Sequence, residues 1–264
     1  MENIKLRLIR WMVQAIWMSV SQLGKMCVEF TMDVIECVIL SSQCSYLNLS
    51  YIVRTIFGIA PYQPNDPFTS TGRSLVAAGY AVYSSSIELV ISLGPSGSDG
   101  AAGFTLDPSL VHSGNHSATE CFRLSRPNLS CPTQGSTYSL NEGREPDWPG
   151  GLRQWIHDAK RGNTPSGTVY SSRYICSLCA DVHRTILTGG WAGNPRPHLR
   201  LLYEAAPMAH VAQACGGRGS DGNGNLLDVV PEGLHGRTCV LLGSEGDILE
   251  LESYGDIQQS SKTY

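Results

Sequence analysis

Hydrophobic spacing divides the chain into three stretches. In the first, Leu6, Ile9, Val13, Ile16 and Val20 recur at helical intervals, as on a helix with one buried face. A break near Gly24–Lys25 separates it from "VEFTMDVIECVIL", where Phe30, Val34, Ile35 and Val38 predict a second helix, so residues 1–42 read as two helices. The alternating, β-rich "SYLNLSYIVRTIFGIA" (45–60) reads as strand. A loop dense in Pro, Asn, Asp and Gly follows, "PYQPNDPFTSTG". Then "AAGYAVYSSSIELVISLG" and "AGFTLDPS" read as neighbouring strands joined by "GPSGSDG". Residues 111–136 carry no period and read as an irregular connection.

From Tyr138 the pattern becomes mixed α and β. "DWPGGLRQWIHDAK" places Trp148, Leu152, Trp155 and Ile156 on one helix face. "SLCADVHRTIL" is a helix that Gly189–Gly190 ends. "LRLLYE" is expected as a strand entering the helix "APMAHVAQAC", with "GGRGSDG" as its cap and turn. "NLLDVV" and "TCVLLG" are expected strands, and "EGDILELESY" a last helix.

At 264 residues, 42% apolar and 16% charged, the chain can bury a sizeable core. A net charge of −4 offers no basic surface for nucleic acid. The N-terminal apolar run is interrupted by Gln14 and falls short of a membrane span; neither a secretory signal nor a transit peptide is expected. The nine cysteines, an odd number spread from Cys27 to Cys239, make a poor disulfide framework and fit a reducing compartment. The glycosylation-type triplets at Asn48, Asn115 and Asn128 are then read as coincidence.

Few strings carry chemistry alone. Gly217, Gly219 and Gly222 spell G-x-G-x-x-G, but a helix precedes them where a dinucleotide fingerprint needs a strand. Cys176 and Cys179 form a lone C-x-x-C without a second pair for zinc, and His112 and His116 lie in a polar loop. "VYSSRYICS" sets Arg173 and Tyr174 before a helix start, which suits either a phosphate or a solvated turn. "YSLNEG" similarly sets Asn141 and Glu142 at a strand end. Glu204, the one carboxylate in "LRLLYEAAPM", is either a helix-start residue or a metal ligand.

Taken together, "VAAGYAVYSSS", "GFTLDPSL", "YSLNEG", "YSSRYICSLCADVHRT", "LRLLYEAAPMA" and "LDVVPEGLHGRT" resemble class 1 fructose-1,6-bisphosphatase, in that family's order, across residues 54–254. "DWPGGLRQWI", "NPRPHLRLLYE" and "ELESYGDIQQ" look most like its plastid group without the redox loop. The resemblance implies a layered α/β (α+β) sugar-phosphatase fold. Residues 1–137 would form an incomplete N-terminal phosphatase domain, divergent over 1–53, and 138–264 a sugar-phosphate-binding domain.

It also implies hydrolysis of D-fructose 1,6-bisphosphate to fructose 6-phosphate and phosphate. Asn141 and Tyr174 would bind the 6-phosphate, with Arg173 reaching in from a neighbouring subunit of a homo-oligomer. Glu204 would bind catalytic Mg2+ and Arg200 would lie near the reacting phosphate. His198 is expected at the substrate where many members have lysine; Asn194 and Arg144 stand where tyrosines are usual.

Two or three magnesium ions are needed for such chemistry, and the family holds them with S-E-E and D-P-L-D-G-S-S segments ahead of "TIFGI". This sequence has neither: residues 34–54 contain one acid, Glu36. Little or no phosphatase activity is therefore expected of this chain. The alternatives are a non-catalytic sugar-phosphate binder or a subunit that joins an intact homologue, and a defective gene model. No AMP site can be carried over, and Cys121 and Cys131 do not stand where the redox loop belongs. The plastid stroma is the expected location by resemblance, the cytoplasm the alternative.

Overall fold

The computed structural model describes residues 27–32, 35–44, 54–61, 69–113 and 121–259. The helix expected over Leu6–Val20 lies outside them. Seven antiparallel strands form the first sheet in chain order: β1 (Cys27–Met32), β2 (Ile35–Cys44), β3 (Arg54–Pro61), β4 (Ala77–Tyr83), β5 (Ile87–Leu93), β6 (Ala101–Leu106) and β7 (Phe122–Arg126). A short helix, α1 (Pro108–Ser113), separates the last two. The second sheet has the order β11-β12-β10-β8-β9, with β8 (Thr137–Ser139), β9 (Ser171–Ser172), β10 (Trp191–Arg200), β11 (Gly217–Ser220) and β12 (Arg237–Ser244). Four helices accompany it: α2 (Gly150–Ala159), α3 (Leu178–Thr188), α4 (Ala206–Ala214) and α5 (Glu245–Ser253).

Period-two burial explains the layering. In β12, Val240 and Leu242 face one core while Cys239 and Leu241 face another. The first core also takes Ile56, Tyr80 and Val90 from the seven-stranded sheet, with Val182 and Ile186 of α3 and Met208 and Val211 of α4. Helices α3 and α4 thus fill the space between the sheets. Beyond the second sheet, Leu152, Trp155 and Ile156 of α2 and Ile248 and Leu251 of α5 pack on Tyr138 and Trp191. The result is sheet, helices, sheet, helices: a layered α/β fold.

Several sequence expectations are corrected. "VEFTMDVIECVIL" is a hairpin rather than a helix, paired from Cys27↔Leu40 to Met32↔Ile35. Its Val, Ile, Phe and Thr content suits strands, and β2 pairs along β3 from Cys37↔Pro61 to Cys44↔Arg54. Within 111–136, Phe122–Arg126 is a strand. The strand expected at "LRLLYE" begins earlier, at Trp191, and ends at Arg200; Leu201–Ala205 is a π-helical turn leading into α4. Gly217–Ser220, expected as turn, is β11, whose glycines admit close neighbours: a Cβ at Gly217 would lie 2.5 Å from the Gly243 carbonyl oxygen. "NLLDVV" holds a 3-10 turn, capped where the Asn225 carboxamide oxygen accepts the Leu227 N–H at 2.9 Å.

Candidate functional site

β8, β9 and β10 run parallel, with Tyr138 opposite both Ser172 and Trp191. Residues just beyond β8 and β9 therefore gather at the carboxyl ends of parallel strands, the usual ligand edge of an α/β sheet. A cavity of about 350 Å³ opens there. Asn141 enters it from beyond β8, Tyr174 and Cys176 from beyond β9, Ser177 and Asp181 from the start of α3, and Asn194, Arg196 and His198 from β10. A smaller cleft of about 50 Å³, lined by Asn141, Arg144, Tyr174 and Arg196 among others, adjoins it.

Local sequence explains the aim of these side chains. Between Asn194↔Val240 and Leu199↔Thr238, five residue steps of β10 face two of β12, so β10 bulges. Pro195 and Pro197 have no N–H for the ladder, which suits them to that bulge. The Asn194 carboxamide oxygen accepts the Arg196 N–H at 3.1 Å and sets the turn. Asn194, Arg196 and His198 then share the cavity side, while Pro197 lines neither space.

Asp181 forms the wall. Only 4% exposed, its carboxylate accepts the Ser139 hydroxyl at 2.6 Å, the Ile175 N–H at 3.2 Å, the Ser177 N–H at 3.3 Å and Arg184 Nη2 at 3.2 Å. That set ties β8, the Tyr174–Ser177 segment and α3 together. The Ser177 hydroxyl, in a residue 7% exposed, finds no hydrogen-bond partner among the described residues. Such a group costs free energy unless a ligand or water meets it.

Asn141 accepts the Gly143 N–H at 3.2 Å, which leaves its amide donors for the cavity. Tyr174 donates to Cys176 Sγ at 3.2 Å. Burial, and then Cys176, push its phenol well above the ordinary value, while Arg196 pulls it back. Tyr174 is therefore a proton donor at neutral pH.

Three of the six sequence-derived residues, Asn141, Tyr174 and His198, come together in this cavity. Arg173 does not: it is exposed, donates from Nη1 to its neighbour Ser172's carbonyl at 2.8 Å, and lines neither space. Arg200 and Glu204 lie together past the cavity, where the Arg200 N–H donates to Glu204 Oε2 at 2.8 Å. The sequence reading missed Arg196, Ser177 and Asp181. The alternation in N-P-R-P-H was the available signal for Arg196.

Magnesium asks for several oxygen ligands in near-octahedral array. Among the described residues no group of three or more His, Cys, Asp or Glu side chains could hold a metal ion. Glu204 alone does not fit such an ion. Among the described residues no helix is long and apolar enough to cross a membrane.

Comparison with known proteins follows the same geography. The family model described as fructose-1-6-bisphosphatase, C-terminal domain, matches residues 131–256. A class 1 fructose-1,6-bisphosphatase of Sorangium cellulosum is 40% identical over 222 residues, covering 80% of this chain and 60% of that protein. The chloroplastic fructose-1,6-bisphosphatase of Brassica napus is 42% identical over 189 residues, 69% of this chain and 43% of its own length. The crystal structure of Leishmania major fructose-1,6-bisphosphatase in holo form aligns with a TM-score of 0.66 at 36% identity, covering 77% of this chain and 64% of that one. The chain thus spans 43% to 60% of the two curated relatives' lengths.

Proposed function

Because the chain belongs to the fructose-1,6-bisphosphatase family, we propose that its cavity takes a fructose phosphate by the phosphorylated end. The reaction it serves is hydrolysis of D-fructose 1,6-bisphosphate to D-fructose 6-phosphate and phosphate in carbohydrate metabolism. The supporting observation is the convergence of Asn141, Tyr174 and His198 from three different strand ends on one cavity. The Asn141 amide donates to phosphate oxygens, the Tyr174 hydroxyl does so by turning its one proton away from Cys176 Sγ, and the Ser177 hydroxyl gains the partner it lacks.

Arg200 is the residue proposed beside the reacting phosphate, and Glu204 is a carboxylate that would join a magnesium site only with further ligands supplied. Magnesium supplies polarisation of the phosphoryl group and an activated water in such reactions. The described residues do not assemble a site for it, so slow or absent turnover is expected of this chain alone. The plastid stroma is the proposed location, in keeping with the chloroplastic relative; the cytoplasm is the alternative.

Arg173 favours a second reading. Exposed and absent from its own cavity, it is available to a neighbouring subunit, either a second copy or an intact homologue.

Titration calorimetry with fructose 6-phosphate and with fructose tests the first reading. Heat from the phosphate ester alone is expected, and equal responses to the two sugars would overturn it. In millimolar magnesium, phosphate release from fructose 1,6-bisphosphate is expected at least ~100-fold below an intact relative.

A further inference from the structure

The large cavity has one carboxyl and one guanidinium side chain in its lining, Asp181 and Arg196. Asp181 is enclosed by four donors and serves as wall. Arg196 lies on the bulge of β10 and lines both the large cavity and the adjoining cleft, beside Asn141 and Tyr174 in each. Its backbone is held from two sides. Its own N–H donates to Asn194 Oδ1, and the Pro195 carbonyl accepts the Gln259 N–H at 2.8 Å. His198, the next cavity-lining residue on β10, bears an imidazole, a group not fully charged at neutral pH.

A phosphate monoester is close to a dianion at pH 7 and is recognised best by a planar guanidinium, which can offer two parallel N–H donors. We propose that Arg196 is the side chain that binds the phosphate group of the sugar phosphate, with Asn141 and Tyr174 as its neutral co-donors. The assignment rests on the fructose-phosphate reading above and deepens it. Arg144 lines only the cleft, with half its side chain exposed; its part is minor. Burial, first, and then Cys176 hold the Tyr174 phenol above its ordinary value, and the charge of Arg196 only partly offsets that rise.

Calorimetric titration of the full chain and its R196Q, R196K and R144Q variants with fructose 6-phosphate and with fructose tests this assignment. R196Q is expected to weaken fructose 6-phosphate about 10- to 100-fold. R196K should recover part of that loss, and R144Q should change affinity less than about threefold. Added salt should weaken the unaltered chain more steeply than R196Q, a readout that a purely structural role would not move. Fructose 6-phosphate binding by R196Q within twofold of the unaltered chain, or R196K as weak as R196Q, overturns the role of Arg196 and leaves the function standing. Failure of the unaltered chain to prefer fructose 6-phosphate over fructose overturns the function and this role together.

Discussion

The two ends of one stretch of chain, Asn194–His198 and Arg200–Glu204, are equipped very differently. The first is joined at the cavity by residues from beyond β8 and β9 and from the start of α3. At the second, the Glu204 carboxylate turns back onto the Arg200 N–H four residues earlier, with no metal-binding group among the described residues. Recognition of one phosphate can be built from donors on neighbouring elements of a single sheet. Metal-assisted hydrolysis needs several carboxylates from separate places in the chain. A domain can therefore retain the first capacity without completing the second.

The strongest way to break this contrast is at the cavity wall. Asp181→Ala removes the acceptor of four donors in a buried place and leaves Arg184 without its carboxylate. Urea unfolding should register a loss of about 3–5 kcal/mol, with sugar-phosphate binding lost as Tyr174 and Ser177 drift from Asn141. A loss under ~1 kcal/mol would mean that the wall does not depend on that carboxylate.

Acid should separate the layers that hold both ends. His210, fully buried, sits with Nδ1 2.7 Å from the Ser92 hydroxyl and Nε2 3.0 Å from the Gly94 carbonyl oxygen. His183 lies 3.0 Å from the Tyr80 hydroxyl. Burial lowers the pKa of both below the ordinary 6.5. The unfolded chain then takes up protons first as pH falls through 6.5, so their stability contribution is full above that value and declines below it. Between pH 7 and 5 the unfolding free energy read from urea titration should fall, by up to ~1.4 kcal/mol per pH unit for each histidine. A flat profile would show that neither is held neutral.

The smallest effect is expected at Glu204. Glu204→Gln keeps an oxygen to accept the Arg200 N–H and should cost no more than ~1 kcal/mol. Millimolar magnesium should leave the unfolding temperature of either protein unchanged. A rise of several degrees that disappears in Glu204→Gln would mean that a cation is held there, and the contrast between the two ends would fall.

Much of the second half was legible because its helices carry their own punctuation. The Leu152, Trp155, Ile156 stripe and the stops at Gly189 and Gly216 lie within a few residues of where the structure places them. Strands were harder. The start of β10 was hidden by Pro195 and Pro197, and β11 by glycines whose value lies in close contact with β12 and α4. The hairpin of β1 and β2 has apolar spacing that suits a helix equally well, and pairing with β3 decided the matter.

The sequence by itself supplied the family, the mixed α/β class and the candidates Asn141, Tyr174 and His198, which line one cavity. Each of these rests on local strings or short-range periodicity. Only the tertiary structure brought Arg196, Ser177 and Asp181 to the same cavity, left Arg173 outside it and folded Glu204 back on its own strand end. The cavity outcomes depend on strand register, on one bulge and on the parallel alignment of β8, β9 and β10. They are relations between distant segments, fixed by pairing and packing, whereas the Glu204 turn onto the Arg200 N–H is a contact four residues long.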